Sequence, residues 1–304
     1  MKNYFIILFL ITYFMLPNTA YTQYQKVESH SLDIYYRVFG EGQPVLILGG
    51  GPGDVSDRYL SLCELLSKKF QCILVDQRGT GKSSPAVYDS SSINVQFTLE
   101  DFEAIRNQLG FDTWNVLGFS YGGFLASLYA NEYPESILKL ILLDSMGLNT
   151  DVFVYFRDNI FSRMDETDKQ LFKFWSDSTR LANDTQHAVT ERIKSMMPGY
   201  FYDREKSFFV SQSIKDTDFN FEMGNWMWKD IVKRNLDLAE MPSIFKNPVL
   251  ILQGRQDPLG DSLPLKLADY YENSEYIFIE KAGHYSWIEQ PDKVFGEISN
   301  FMKE

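Results

Sequence analysis

Ser120 sits in Gly118-Phe119-Ser120-Tyr121-Gly122, after the apolar run Trp114–Leu117 and before a helical pattern, Phe124–Tyr133. A strand that drives into Gly-x-Ser-x-Gly and leaves as a helix is a nucleophile elbow, which lifts the serine above a sheet. The sharp turn crowds its own backbone, so side chains two residues before and after the serine would clash. The serine itself is held in a strained conformation with its hydroxyl aimed outward.

A serine hydroxyl attacks only when a base takes its proton and a third group fixes the tautomer of that base. The chain has three histidines, His30, His187 and His284. His30 precedes the core pattern and His187 lies in a segment without strands. His284 follows the last strand-like run, in Lys281-Ala282-Gly283-His284, where a loop can face the elbow. For the acid, Asp257 in Gly254-Arg255-Gln256-Asp257-Pro258 ends the strand Val249–Leu252. Asp144, after Leu138–Leu143, is its rival. The order Ser…Asp…His, with acid and base on consecutive strand ends, favours Asp257.

The tetrahedral oxyanion of acyl transfer needs two backbone N–H donors, one just after the nucleophile and one from the loop after an early strand. Tyr121 supplies the first. Gly51, in Gly49-Gly50-Gly51-Pro52-Gly53, supplies the second, because backbone without side chains approaches a substrate closely. That loop does not read as a phosphate cradle, since Lys82-Ser83 stands too far downstream for Walker spacing. No His-Glu-x-x-His, zinc-spaced cysteine pair or dinucleotide fingerprint accompanies these residues, so the sequence predicts a hydrolase that uses neither metal nor cofactor.

The elements that must position these groups alternate. Leu32–Phe39, Pro44–Leu48, Cys72–Asp76, Trp114–Leu117, Leu138–Leu143, Val249–Leu252 and Tyr276–Ile279 read as strands, several of them unbroken apolar runs. Helical patterns fall between them at about Asp57–Lys69, from a start at Thr98 and Asp101 to Gln108, over Phe124–Tyr133, and near Asp292–Met302. Strand–helix alternation with short loops predicts a parallel sheet covered on both faces. Between about Asn149 and Phe245 no buried strand run occurs. Aromatics and helical patterning there predict a helical cap over the carboxyl edge of the sheet. The expected organisation is a core of 23–146 and 247–304, interrupted by a cap of 147–246.

The chain has 304 residues, 44% hydrophobic and 23% charged, a globular composition. A formal net charge of −12 argues against nucleic-acid or anionic-membrane partners and leaves a small molecule or short peptide as the expected partner. Oligomeric state is not encoded in any recognisable motif. Residues 1–22 join Lys2, an apolar run over Tyr4–Leu16 and small or polar residues to Thr22. This is the pattern of a secretory signal peptide, too short an apolar run for a typical span, and it predicts export to the periplasm or medium. Export permits a disulfide between Cys63 and Cys72, but one lies mid-helix and the other at a strand start, so two buried free thiols are expected.

Gly-Gly-Gly-Pro-Gly, Asp76-Gln77-Arg78-Gly79-Thr80-Gly81-Lys82-Ser83 and Gly-Phe-Ser-Tyr-Gly-Gly, in that order, resemble the α/β-hydrolase superfamily and, within it, the proline iminopeptidases. The resemblance covers about residues 32–146 and 248–302. It implies the α/β-hydrolase fold with a helical cap, Ser120 as nucleophile with Asp257 and His284, and release of N-terminal residues, often proline, from short peptides. Two positions depart from the family. Its oxyanion loop usually begins with histidine, where this chain has Gly49, so side-chain support of the loop is expected to be missing. Its cap carries Glu-Asn-His-Tyr-Phe, the glutamate holding the substrate amine; here the segment is Met197-Pro198-Gly199-Tyr200-Phe201. Glu222 or Glu240 are candidate replacements, with Trp226 beside Glu222 as a further substrate contact.

Three functions therefore remain from the sequence. The first is an exported serine aminopeptidase working through an acyl-enzyme. The second is an esterase or amidase for small acyl groups on the same fold. The third is a non-catalytic binding protein, which the intact Ser–His–Asp set disfavours.

Overall fold

Apolar runs in parallel strands are buried from both sides, and this chain builds its sheet from them. A computed structural model describes residues 23–303, so the predicted signal peptide lies outside the described residues. Eight strands, β1 (Gln25–Ser29), β2 (Leu32–Phe39), β3 (Gln43–Leu48), β4 (Phe70–Val75), β5 (Trp114–Phe119), β6 (Ile137–Leu143), β7 (Val249–Gly254) and β8 (Ser274–Ile279), form one sheet in the order β1-β2-β4-β3-β5-β6-β7-β8. β1 and β2 pair antiparallel, as do β2 and β4, and every other pair is parallel. Along β3, Leu46 and Leu48 enter one core while Val45 and Ile47 enter the other, which is why the run never alternates with polar residues.

One face is covered by α2 (Val95–Gln108), α3 (Tyr121–Glu132) and α10 (Ser262–Tyr270), the other by α1 (Leu60–Leu66), the short α11 (Ser286–Glu289) and α12 (Pro291–Phe301). Between β6 and β7 come α4 (Phe153–Arg163), α5 (Glu166–Trp175), α6 (Ser178–Asn183), α7 (Thr185–Tyr200), α8 (Arg204–Ser213) and α9 (Phe221–Arg234). Met197, Phe201 and Ile214 give this helical layer a small core of its own.

Two local expectations change. The segment expected to be helical over 57–69 is a 3-10 turn, Ser56–Tyr59, followed by the two-turn α1. The helix expected to start at Thr98 and Asp101 begins a turn earlier, because the Asn94 side chain accepts from Phe97 N at 2.8 Å and caps it. Thr98 and Asp101 are then interior and buried, and Asp101 grips Arg78 in a two-point ion pair at 2.5 and 2.9 Å.

That pair gives the Asp76–Ser83 motif a structural meaning. Arg78 also donates to Ser29 O at 3.0 Å, Gln77 Nε2 to Gly49 O at 3.1 Å, and Ser83 Oγ accepts Tyr35 N at 2.8 Å. One tight loop thus fastens the end of β1, strand β2, helix α2 and the glycine loop after β3. Gly81 is required there, since a Cβ would stand 2.3 Å from the Asp76 carboxylate oxygen. Cys63 and Cys72 are buried free thiols within one core, as expected.

Candidate active site

Backbone strain marks the elbow. Ser120 has φ 55°, ψ −121°, and follows β5 directly into α3. A Cβ on Gly118 would lie 2.2 Å from Gly122 O, and one on Gly122 would lie 2.3 Å from Leu48 O, so neither position admits a side chain. The Ser120 carbonyl accepts from Gly123 N and Met146 N at 2.9 and 3.1 Å, and its own N–H donates to Leu143 O at 3.2 Å. Tertiary bonds from two neighbouring segments hold the strained residue in place.

The structure brings Ser120, His284 and Asp257 together. His284 Nε2 is 3.0 Å from Ser120 Oγ, and His284 Nδ1 is 2.9 Å from Asp257 Oδ2. Asp257 is locked in turn, its Oδ2 accepting from Gln253 Nε2 and its Oδ1 from Leu259 N, both at 2.8 Å. His284 N donates to Tyr200 O at 2.7 Å, so the cap helix α7 helps to seat the imidazole.

Asp144 does not touch the imidazole. Its Oδ1 accepts from Gly254 N at 2.8 Å, and its Oδ2 takes Ser286 N at 3.1 Å and Ser286 Oγ at 2.6 Å. It clamps the two loops that carry Asp257 and His284. Burial first, and the nearby charge of Asp257 second, push its carboxyl well above the ordinary range.

His284 is nearly sealed from solvent, and burial pulls its pKa down. The charge and hydrogen bond of Asp257 outweigh that, with Asp144 and Asp54 adding, so the imidazole is held above its ordinary value. A base must be neutral to accept the serine proton. The acid limb of kcat/KM is therefore expected to have its midpoint above the unperturbed value of about 6.5. Measured against pH with a substrate that does not titrate there, a midpoint below that value contradicts the Asp257–His284 arrangement. The linked stability has the opposite sense. A raised folded-state pKa stabilises fully below the unfolded value, and this contribution fades as pH rises through the folded value.

Gly51 and Tyr121 both border the cavity in front of Ser120. Among the described residues neither N–H donates to a protein acceptor, which leaves both open for an oxyanion. Gly51 has φ +113°, a conformation that glycine alone adopts without strain. The neighbouring Gly50 N–H is already used by Tyr59 Oη at 2.7 Å.

That bond corrects the expectation of an unsupported loop. A Cβ on Gly49 would fall 2.1 Å from the Tyr59 ring, so the tyrosine occupies the space that a side chain at 49 would need. Its hydroxyl accepts from Gly50 N and donates to Asp54 Oδ2 at 2.7 Å, bracing the loop from within. Tyr59→Phe leaves a buried N–H unpaired and is expected to cost about 1–3 kcal/mol of stability. Chemical denaturation checks this, and a loss below a few tenths of a kcal/mol would remove the bracing role.

The cavity has a volume of about 240 Å³. Its walls are apolar, from Phe119 and Met146 in the core to Phe153, Phe156, Ile193, Met197, Phe219 and Phe221 in or beside the helical layer. Its polar corner, which sequence reasoning missed, is Asp54, Arg58, Tyr200 and Tyr285. The i,i+4 spacing of Asp54 and Arg58 directly after the glycine loop was the available signal. Glu222 and Trp226 do not line the cavity. Helix α9 buries Met223, Gly224, Met227 and Ile231, which turns residue 222 aside, and Trp226 packs against the core edge beneath Lys229. Glu240, in a short turn before β7, does not line it either.

Comparison with known proteins agrees with this fold. Residues 43–291 match the model of the α/β-hydrolase fold family. The chain is similar to the AB hydrolase superfamily protein YclE of Bacillus subtilis strain 168, with 26% identity covering 87% of this chain and 93% of that protein. It is also similar to a proline iminopeptidase of Saccharolobus solfataricus, at 23% identity over 90% of each. Among solved structures, an α/β fold family hydrolase from Bacillus anthracis str. Sterne aligns with a TM-score of 0.72 and 21% identity, over 92% of this chain and 99% of that one. An eight-stranded, mostly parallel sheet with Ser120 on the turn after β5, together with a family match over most of the chain, places this protein in the α/β-hydrolase fold family.

Proposed function

We propose that the protein is an exported serine hydrolase of the aminopeptidase type, releasing N-terminal residues from short peptides through an acyl-enzyme. The observation that carries the chemistry is the continuous hydrogen-bonded line from Ser120 Oγ through His284 to Asp257. His284 removes the hydroxyl proton as Ser120 attacks the carbonyl carbon, and Asp257 steadies the imidazolium that forms. The oxyanion is received by the N–H groups of Gly51 and Tyr121. Collapse of the tetrahedral adduct passes the proton from His284 to the leaving amine. Water, activated by the same imidazole, then frees the acyl group. Similarity to proline iminopeptidases supports the peptidase reading, and the amino-terminal pattern supports export.

A second reading, an esterase or amidase for small acyl groups, is favoured by Met197 on the cavity wall, where an amine-binding carboxylate is expected of a proline iminopeptidase. Assay of residues 23–304 with prolyl and alanyl anilides beside a short-chain nitrophenyl ester separates the two. The peptidase reading predicts anilide cleavage that is lost when the substrate amine is capped. Ester turnover without anilide turnover would overturn it and leave the esterase.

A further inference from the structure

The polar corner of the cavity contains a guanidinium that the catalytic steps above do not use. Arg58 is almost fully withdrawn from solvent, its side chain 9% exposed, yet it borders the same space as Ser120 and His284. Nε donates to Asp54 Oδ2 at 3.1 Å and Nη2 to Tyr285 Oη at 3.2 Å, while the guanidinium lies 4.7 Å from the centre of the Phe219 ring. A guanidinium carries five N–H donors. Two are engaged here, on the edge shared by Nε and Nη2. Both N–H groups of Nη1 and the second of Nη2 take no protein acceptor among the described residues. These open donors form the end of the fork, the edge that receives a carboxylate through two parallel hydrogen bonds.

An alternative occupant, an ammonium on Asp54, fits less well. Asp54 Oδ2 already accepts from both Arg58 and Tyr59, and an ammonium on the remaining oxygen, Oδ1, would stand beside a guanidinium. The stacking ring, the Tyr285 hydroxyl and Asp54 fix the Arg58 plane in advance, so little side-chain entropy is lost when an anion docks. A fixed, largely desolvated cation in the polar corner of a cavity whose other walls are apolar also discriminates strongly, because a neutral ligand leaves its donors unpaired.

We propose that Arg58 determines specificity by binding a carboxylate of the substrate, so that the preferred substrates are small acyl compounds or very short peptides carrying a free carboxylate near the bond that is cleaved. The proposal rests on the hydrolase reading of Ser120 and names the substrate class of that same site. The carboxylate has two sources, the free C-terminus of a dipeptide on the leaving side or an acid group on the acyl side.

The test compares matched pairs. Prolyl-alanine and alanyl-alanine are set against their C-terminal amides, and the nitrophenyl monoester of glutaric acid against nitrophenyl butyrate. The wild-type protein is expected to favour the free acid by tenfold or more in kcat/KM in one of the two pairs, and that pair identifies the source. Arg58→Gln is expected to abolish the ratio and Arg58→Lys to restore part of it. The ratio is read within each protein, so a general loss of rate does not move it. Binding of the same pairs to Ser120→Ala protein, with and without Arg58→Gln, gives the ratio without turnover. Equal treatment of acid and amide, with hydrolysis intact, overturns the Arg58 proposal alone. Absence of any hydrolysis overturns the hydrolase reading, and the binding ratio then decides Arg58 separately.

Discussion

Ser120→Ala is expected to lower kcat by about four to six orders of magnitude on every substrate the protein cleaves, with KM little changed. The size follows from the chemistry. Without Oγ no acyl-enzyme can form, and the remaining rate is that of water attacking a carbonyl held near the open N–H groups of Gly51 and Tyr121. The fold should be untouched, because the strain at φ 55° belongs to the backbone and is held by the bonds to Leu143, Gly123 and Met146, none of which uses the hydroxyl. Single-turnover kinetics with an activated ester would check this, and a loss below a hundredfold would mean that the serine is not the nucleophile.

Asp257→Asn is expected to cost about 10⁴ in kcat. The carboxylate accepts hydrogen bonds from His284 Nδ1, Gln253 Nε2 and Leu259 N. An amide at this position must turn a donor either toward Gln253 and the imidazole or toward Leu259. The pairing that suits Leu259 presents N–H to N–H at His284 and drives the imidazole into the tautomer that cannot accept the serine proton. Asp144→Asn provides the contrast. Asp144 is pushed toward its neutral form by burial and by Asp257, and its partners are Gly254 N and Ser286. An amide here must turn its NH2 toward Gly254 N or Ser286 N, which costs stability, but it touches no reacting group, so the expected loss of activity at neutral pH is tenfold or less. A larger loss for the Asp144 variant than for the Asp257 variant would reverse the assignment of the acid.

The sheet and the Ser–His–Asp line were legible because each leaves its own mark on the sequence. Parallel strands buried on both faces must be unbroken apolar runs, as in Val45–Leu48 and Leu140–Leu143. The turn after β5 admits no Cβ at 118 or 122, so its glycines are written into the sequence. Elimination among three histidines pointed to His284. β1 was missed because it is an edge strand, largely exposed, whose short polar sequence carries no apolar run. The start of α2 was missed because its cap, Asn94, lies in a serine-rich loop full of equivalent cap candidates, and the buried Asp101 mimics a first-turn acid.

The cavity wall was the least legible part. Which face of a cap helix meets the substrate depends on how that helix docks, and nothing periodic distinguishes Phe221, which lines the cavity, from Glu222 beside it. Tyr59 illustrates the same limit. Its ring fills the place of a missing side chain ten residues upstream, a compensation visible only when the loop and the turn are folded together.

The central claim is that Ser120 is an activated nucleophile. The most direct measurement is peptide mass spectrometry after brief exposure of the protein to a fluorophosphonate, with Ser120→Ala and His284→Ala proteins alongside. The account predicts a single stoichiometric adduct on Ser120 in the wild-type protein, none in the alanine variant, and labelling slowed at least a hundredfold without His284. An unlabelled wild-type protein, or an adduct on any other residue, would contradict it.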